Sequence, residues 1–183
     1  LAAVKNEEIE APVEEAIREN LVEVAPKAGK IKKVTTNEEL GTTEWTLSNG
    51  VRVVIKPTEF KQDEILFSAF SKGGQSLVAT EDLVSAALAT DVVSVSGIAD
   101  MTMTDLQKAL TGKNVSCSPS INANTESIDG GSTVKDLETL LQLNYLYFTA
   151  PRRDEDAYAM HMSVLESQVA NRDKNPKSAF SDT

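Results

Sequence analysis

The pattern of apolar and polar positions first becomes regular at residues 44–55. Glu44-Trp45-Thr46-Leu47 and Val51-Arg52-Val53-Val54-Ile55 are rich in β-branched and aromatic residues and are separated by Ser48-Asn49-Gly50. Asn-Gly readily takes the positive φ of a tight turn, so the spacing predicts a hairpin. A third strand is predicted at 65–70, ended by Gly73-Gly74. Thr80 is placed to cap a helix that opens on Glu81 and Asp82, runs through Leu83, Ala86, Ala87 and Val92, and stops at Gly97. A second helix is expected from Thr104, with Gln107 at the capping-box spacing, to Gly112. Two strands follow at 115–122 and 127–131, where Ser, Asn and Thr alternate with Val, Cys and Ile and predict one solvated sheet face. Thr133 with Asp136 caps the next helix, whose Val134, Leu137, Leu140, Leu141, Tyr145 and Phe148 form a broad apolar stripe expected in the core. After Ala150-Pro151, the acids Asp154, Glu155 and Asp156 open a last helix carrying Tyr158, Met162, Leu165 and Val169.

The resulting order is ββ, β, αα, ββ, αα. Hairpin-linked strands with helices in pairs imply an α+β fold, a mainly antiparallel sheet with helices packed on one face. Upstream, residues 7–20 are acidic, and Pro12 followed by Val13, Ala16, Ile17 and Leu21 suggests a short amphipathic helix. Residues 24–43 mix Pro, Gly, Lys and Thr with few large apolar side chains, which is linker composition. The expected division is therefore a linker with a short helix over 1–40 and one domain over 41–183. The chain begins at Leu1 and stops in polar sequence at Thr183, so the domain is expected to be a C-terminally truncated piece of a larger protein.

Composition narrows the chemistry. The 183 residues carry 28 acidic and 18 basic side chains, a net charge of −10 and a pI near 4.6. That sign disfavours binding to nucleic acid through phosphates and to an anionic membrane surface. No apolar run approaches the ~18 residues of a membrane span, and no basic patch precedes an apolar run at the N-terminus. A single cysteine, Cys117, rules out an internal disulfide framework and a thiolate metal cluster. A single histidine, His161, rules out any zinc site built on two or three imidazoles from this chain.

Each candidate for chemistry has a structural alternative that weighs more. His161 lies one helical turn from Tyr158 and Leu165, as a core histidine would. Cys117 sits in a predicted strand between Ser116 and Ser118, with no activating partner nearby in sequence. Gly73-Gly74, with Lys72 before it, and Gly130-Gly131 match neither G-x-G-x-x-G nor G-x-x-x-x-G-K-[ST], and turn glycines account for them. Arg152-Arg153 could meet a partner, but solvated charges at a helix start are the usual outcome. The cluster Glu7, Glu8, Glu10, Glu14 and Glu15 reads as a solvated face. No active site emerges from the residues themselves.

The assembled motifs resemble a known family. Residues 44–58, EWTLSNGVRVVIKPT, look like the opening strand pair of a pitrilysin-family (M16) zinc peptidase domain, with its L-x-N-G-hydrophobic-x-V pattern. Residues 67–74, FSAFSKGG, are similar to that family's third strand and glycine turn, and 137–151, LETLLQLNYLYFTAP, to its helix ending in F-x-x-P. In a catalytic domain of the family, the helix after the glycine turn carries H-x-x-E-H, two histidines on one face with a glutamate as general base. Here that stretch reads ATEDLVSAALATDVV over 79–93 and contains no histidine. The resemblance therefore implies a degenerate, non-catalytic domain of the C-terminal half of a bacterial zinc protease. It transfers no catalytic, cofactor-binding or metal-ligating residue to this chain. The arginine and tyrosine that such enzymes use from the opposite half belong to another domain, so Arg152, Arg153 and the tyrosines inherit no such role.

What the resemblance implies for the parent is a zinc site on another domain, peptide substrate, the other M16 domains as partners, and a periplasmic or extracytoplasmic setting. This segment would shape the chamber and position peptide. A non-enzymatic scaffolding protein of the same fold is the competing expectation, and an unrelated enzyme using Cys117 or His161 is a third.

Overall fold

In the computed structural model the described residues are residue 18, residues 20–174 and residue 180. The helix expected over 7–20 falls almost wholly outside them. The strands are β1 (Ile31–Asn37), β2 (Thr42–Leu47), β3 (Arg52–Ile55), β4 (Ile65–Lys72), β5 (Val115–Ile121) and β6 (Thr125–Ser132). The helices are α1 (Leu83–Ser96), α2 (Met103–Ala109), α3 (Leu137–Thr149) and α4 (Glu155–Ala170). Two antiparallel three-stranded sheets result, in the orders β1-β2-β3 and β4-β6-β5. The class is α+β, as the element order implies.

β2 and β3 form the expected hairpin. The Leu47 amide donates to Val51 O at 2.8 Å, Gly50 holds φ 90°, and Asn49 Oδ1 accepts from the Val51 amide at 3.1 Å. Across this pair Arg52 grips Glu44 through both oxygens, at 2.9 and 2.7 Å. β1 was not expected, because it lies inside the stretch of linker composition. All seven of its residues are exposed, so no apolar alternation marks it. It is held by pairing with β2 from Ile31↔Leu47 to Asn37↔Thr42 and by its β-branched Ile31, Val34, Thr35 and Thr36. Leu40, where the linker was expected to end, sits in the turn joining β1 to β2, its amide bound to Asn37 Oδ1 at 3.1 Å.

In the second sheet β6 is central. Gly130 lies where the neighbouring strand comes very close, since a Cβ there would collide with the Ser116 carbonyl oxygen. Gly73 and Gly74 take φ 146° and 59° as β4 turns beneath the β5–β6 connection. Thr80 does not cap α1. It lies in a 3-10 turn, Thr80–Asp82, and the extended N-cap geometry before that turn falls to Ala79, which has no side-chain oxygen. α1 does stop at Gly97, with φ 87°. α2 begins two residues before the expected position, on a capping box of Thr102 and Asp105 in place of Thr104 and Gln107. It ends at Ala109, and a further turn reaches Gly112 at φ 79°.

α3 lies on β5 and β6 and buries Thr139, Leu140, Leu143 and Leu146. Of the stripe expected in the core, Leu140 is fully buried, whereas Val134, Leu141, Tyr145 and Phe148 are exposed. At 100° per residue, 141, 145 and 148 cluster on the side of the helix away from 143, so one helix carries two apolar faces and only one meets the sheet. α4 opens on Asp154, whose Oδ1 accepts from the Ala157 amide at 2.9 Å, and packs on α1. Tyr158 and Val169 are exposed on it. The buried cluster joins Leu21, Ile98, Met101, Leu106, Ala109, Cys117, Ile128, Leu140, Leu143 and Leu146. Among the described residues no helix is long and apolar enough to cross a membrane.

Candidate functional site

The place to look for chemistry is α1, the helix that follows the glycine turn. Its sequence, LVSAALATDVVSVS, offers one carboxylate, Asp91, and small hydroxyls. Two of these are turned back on the helix: Ser94 Oγ donates to Thr90 O and Ser96 Oγ to Val92 O, both at 2.7 Å. That is the bonding of a packing helix, with no side chain projecting a lone pair in concert with another. His161 reaches the scene from α4. It is half-buried, and its Nε2 is buried without a hydrogen-bond partner. A catalytic zinc of this family needs two imidazoles and carboxylates converging from one helix face. Among the described residues no group of three or more His, Cys, Asp or Glu side chains converges to hold a metal. The donors among the described residues do not fit that ion.

Cys117 lies on the inner face of β5, 9% exposed. Desolvation pushes its thiol up to about 11, so at neutral pH it is protonated and a poor nucleophile or ligand. Burial likewise raises the Tyr147 phenol. The amides around Gly73-Gly74, which an anion would need, are occupied. The Gly73, Gln75 and Ser76 amides donate to Asn124 O, Asn122 O and Ala123 O at 2.9 Å, and the Gly74 amide to Glu126 Oε1 at 3.1 Å. Gly130-Gly131 belongs to β6 and is no loop at all.

Arg152 is half-buried and held by its neighbours. Its Nη2 meets Asp154 Oδ2 and its Nη1 the Asp100 carbonyl oxygen, each at 3.3 Å. Arg153 lines a cavity of about 270 Å³ with Val92, Asp154, Glu155 and Tyr158, between α1 and the start of α4. A second, more open cleft of about 200 Å³ lies over Gly130 and Gly131, walled by Lys61, Asp63, Glu64, Leu66, Asn114 and Ser116.

The polar interactions that organise the molecule are elsewhere. Asp136 Oδ2 accepts from the Thr133 hydroxyl at 2.7 Å and from the Asn114 amide at 2.9 Å, and these bonds hold its carboxyl below the ordinary aspartate range. Arg18 binds Asp100 through both oxygens, at 2.8 and 2.5 Å, and the Leu21 amide donates to Gln142 Oε1 at 2.8 Å. Sequence reasoning singled out neither pair, because partners separated by 82 and 121 positions leave no local signal.

No family model matches the chain. It is 31% identical over 170 residues to a zinc protease PQQL-like of Arabidopsis thaliana, a match that takes in 91% of this chain and 15% of that protein. Among solved structures, the periplasmic protease PqqL of Escherichia coli shares the fold with a TM-score of 0.78 at 20% identity, over 98% of this chain and 20% of that one. The ferredoxin protease FusC, solved in complex with Arabidopsis ferredoxin, matches with a TM-score of 0.73 at 26% identity, over 94% of this chain and 19% of that one. The chain thus spans less than a quarter of the length of these relatives. With the strand-pair, glycine-turn and helix motifs in order on this fold, nine-tenths of the chain is similar to part of a zinc protease, which supports the resemblance to the pitrilysin-type (M16) family.

Proposed function

We propose that this segment is a non-catalytic part of an M16-type zinc protease, one that walls the chamber and positions a polypeptide for a zinc site on another domain. The observation that carries the reading is α1: where the family's catalytic helix bears H-x-x-E-H, this helix bears alanines, valines and serines, and the whole chain has one histidine. A helix of small residues packs closely on its neighbours, which suits a wall better than a metal site. FusC is a ferredoxin protease, and a polypeptide is the substrate class we extend to the parent of this segment. The extracytoplasmic setting and the other domains of the parent as packing partners belong to the same proposal.

The test is made on the purified 183-residue chain. Metal analysis after incubation with zinc, together with cleavage of an unstructured reporter peptide with and without chelator, is expected to show no stoichiometric zinc and no chelator-sensitive hydrolysis. One zinc per chain with chelator-sensitive cleavage would overturn the proposal. A parent reading frame without H-x-x-E-H in any domain would instead favour a scaffold.

A further inference from the structure

Ahead of β1 the chain is bound at two points, Arg18 and Leu21. The polar point is the paired contact of the Arg18 guanidinium with the Asp100 carboxylate, at 2.8 and 2.5 Å. Asp100 stands on a tight turn, Gly97–Met101, closed by Ile98–Met101 backbone bonds of 3.0 and 2.9 Å and tied to the end of α3 by the Ala99 amide on Ala150 O at 2.8 Å. Within it Ala99 has φ 52°, the sole positive φ outside glycine among the described residues. The apolar point is Leu21. It is 3% exposed and joins the same buried cluster as Ile98, Met101, Leu143 and Leu146. Its amide is held by Gln142 Oε1 at 2.8 Å, and the Gln142 Nε2 is steadied by Glu138 at 3.3 Å. Beyond Val22 residues 23–30 are all exposed, and the Ser48 amide, just past β2, donates to Lys30 O at 2.8 Å where β1 is about to start.

The geometry points to a strap with a two-point latch, Arg18 on Asp100 and Leu21 under Gln142, that sets how much chain ahead of β1 is free. With the latch closed, Arg18 and the chain from Leu21 onward move with the fold. With it open, about a dozen residues become a tether reaching about 40 Å. The two points have different physics. The ion pair is solvent-exposed and therefore weak and salt-sensitive, whereas the leucine is held by burial. Salt loosens the first and leaves the second.

The test uses the full chain, reading amide hydrogen exchange at Leu21 and the rate of tryptic cleavage after Arg18. Asp100→Asn is expected to raise both about threefold at low salt. Sodium chloride at about 0.5 M should do the same to the wild type and leave Asp100→Asn unmoved. Gln142→Ala should speed exchange at Leu21 without altering the melting temperature appreciably, and Leu21→Ala should raise cleavage after Arg18 tenfold or more. Arg18→Glu combined with Asp100→Arg should return exchange at Leu21 to the wild-type rate. Wild-type exchange at Leu21 at the rate of an unstructured peptide overturns the latch. So does tryptic cleavage that Asp100→Asn leaves unchanged, and that exposed substitution keeps the core intact.

Discussion

Asp136 shows how one side chain can tie three segments. Its carboxylate collects the Asn114 amide ahead of β5 and the Thr133 hydroxyl after β6, just as α3 begins. The Asn114 bond is the largest cause of its lowered pKa, with the Thr133 hydroxyl second and desolvation opposing both. A folded-state pKa below the unfolded one makes the group stabilising above about pH 4, with that contribution lost as pH falls through the lowered value. Urea unfolding between about pH 5 and pH 2 should therefore show stability falling on the acid side, less steeply in Asp136→Asn, which keeps an acceptor oxygen but loses the charge. The slope would persist in part, because Asp100, Asp105 and Asp154 are lowered by hydrogen bonds as well. At Gly130 the constraint is steric. An alanine Cβ would meet the Ser116 carbonyl oxygen of the neighbouring strand, and a central strand has no room to yield. Gly130→Ala is expected to cost about 1–3 kcal/mol by thermal or urea denaturation, the range for overpacking a filled site.

At the scale of elements, caps and turns separate what the sequence reveals from what it hides. The Thr102 hydroxyl accepts the Asp105 amide at 3.2 Å while Asp105 Oδ2 accepts the Thr102 amide at 3.2 Å, so α2 starts on a reciprocal pair. Thr102→Ala should lower stability by about 1 kcal/mol, and Thr104→Ala, at the position first expected to be the cap, should change it far less; urea midpoints of the two variants compare them directly. The capping-box spacing was legible, but Thr102 with Asp105 and Thr104 with Gln107 both offer it within a few residues, and packing of Leu106 and Ala109 selects between them. The β2–β3 hairpin was legible because Asn49-Gly50 dictates its own turn. β1 was not, since a fully exposed strand bears no apolar alternation and owes its form to its partner. In α3 the apolar positions were legible and their assignment was not: with leucines all round, only contact with β5 and β6 decides that Leu140, Leu143 and Leu146 go inward. For the candidate site, the missing histidines of α1 could be read directly, whereas Arg18, Asp100, Leu21 and Gln142 meet only in three dimensions.

Taken as a whole, the molecule holds two opposed surface properties. A net charge of −10 repels one copy from another, yet Leu66, Phe70, Leu141 and Phe148 are exposed by 81, 73, 49 and 71%. Exposed apolar residues scattered singly are ordinary, but Leu141 and Phe148 share one α3 face with Tyr145, and Leu66 and Phe70 share the outer face of β4. In water at low salt the charge should dominate, because its repulsion acts across about 10 Å or more while apolar contact needs near touch. Raising the salt to about 1 M shortens that range to about 3 Å and should let the apolar faces meet. Light scattering on the isolated chain is therefore expected to report monomer at low salt and growing association at high salt. Substituting both Leu141 and Phe148 by glutamate should suppress that association and leave the melting temperature nearly unchanged, since neither side chain is in the buried cluster. A fall in stability as large as the ~2–5 kcal/mol expected for Leu140→Ala would mean that this face of α3 is packed in the isolated chain. Association that ignored both salt and the glutamates would place the contact elsewhere.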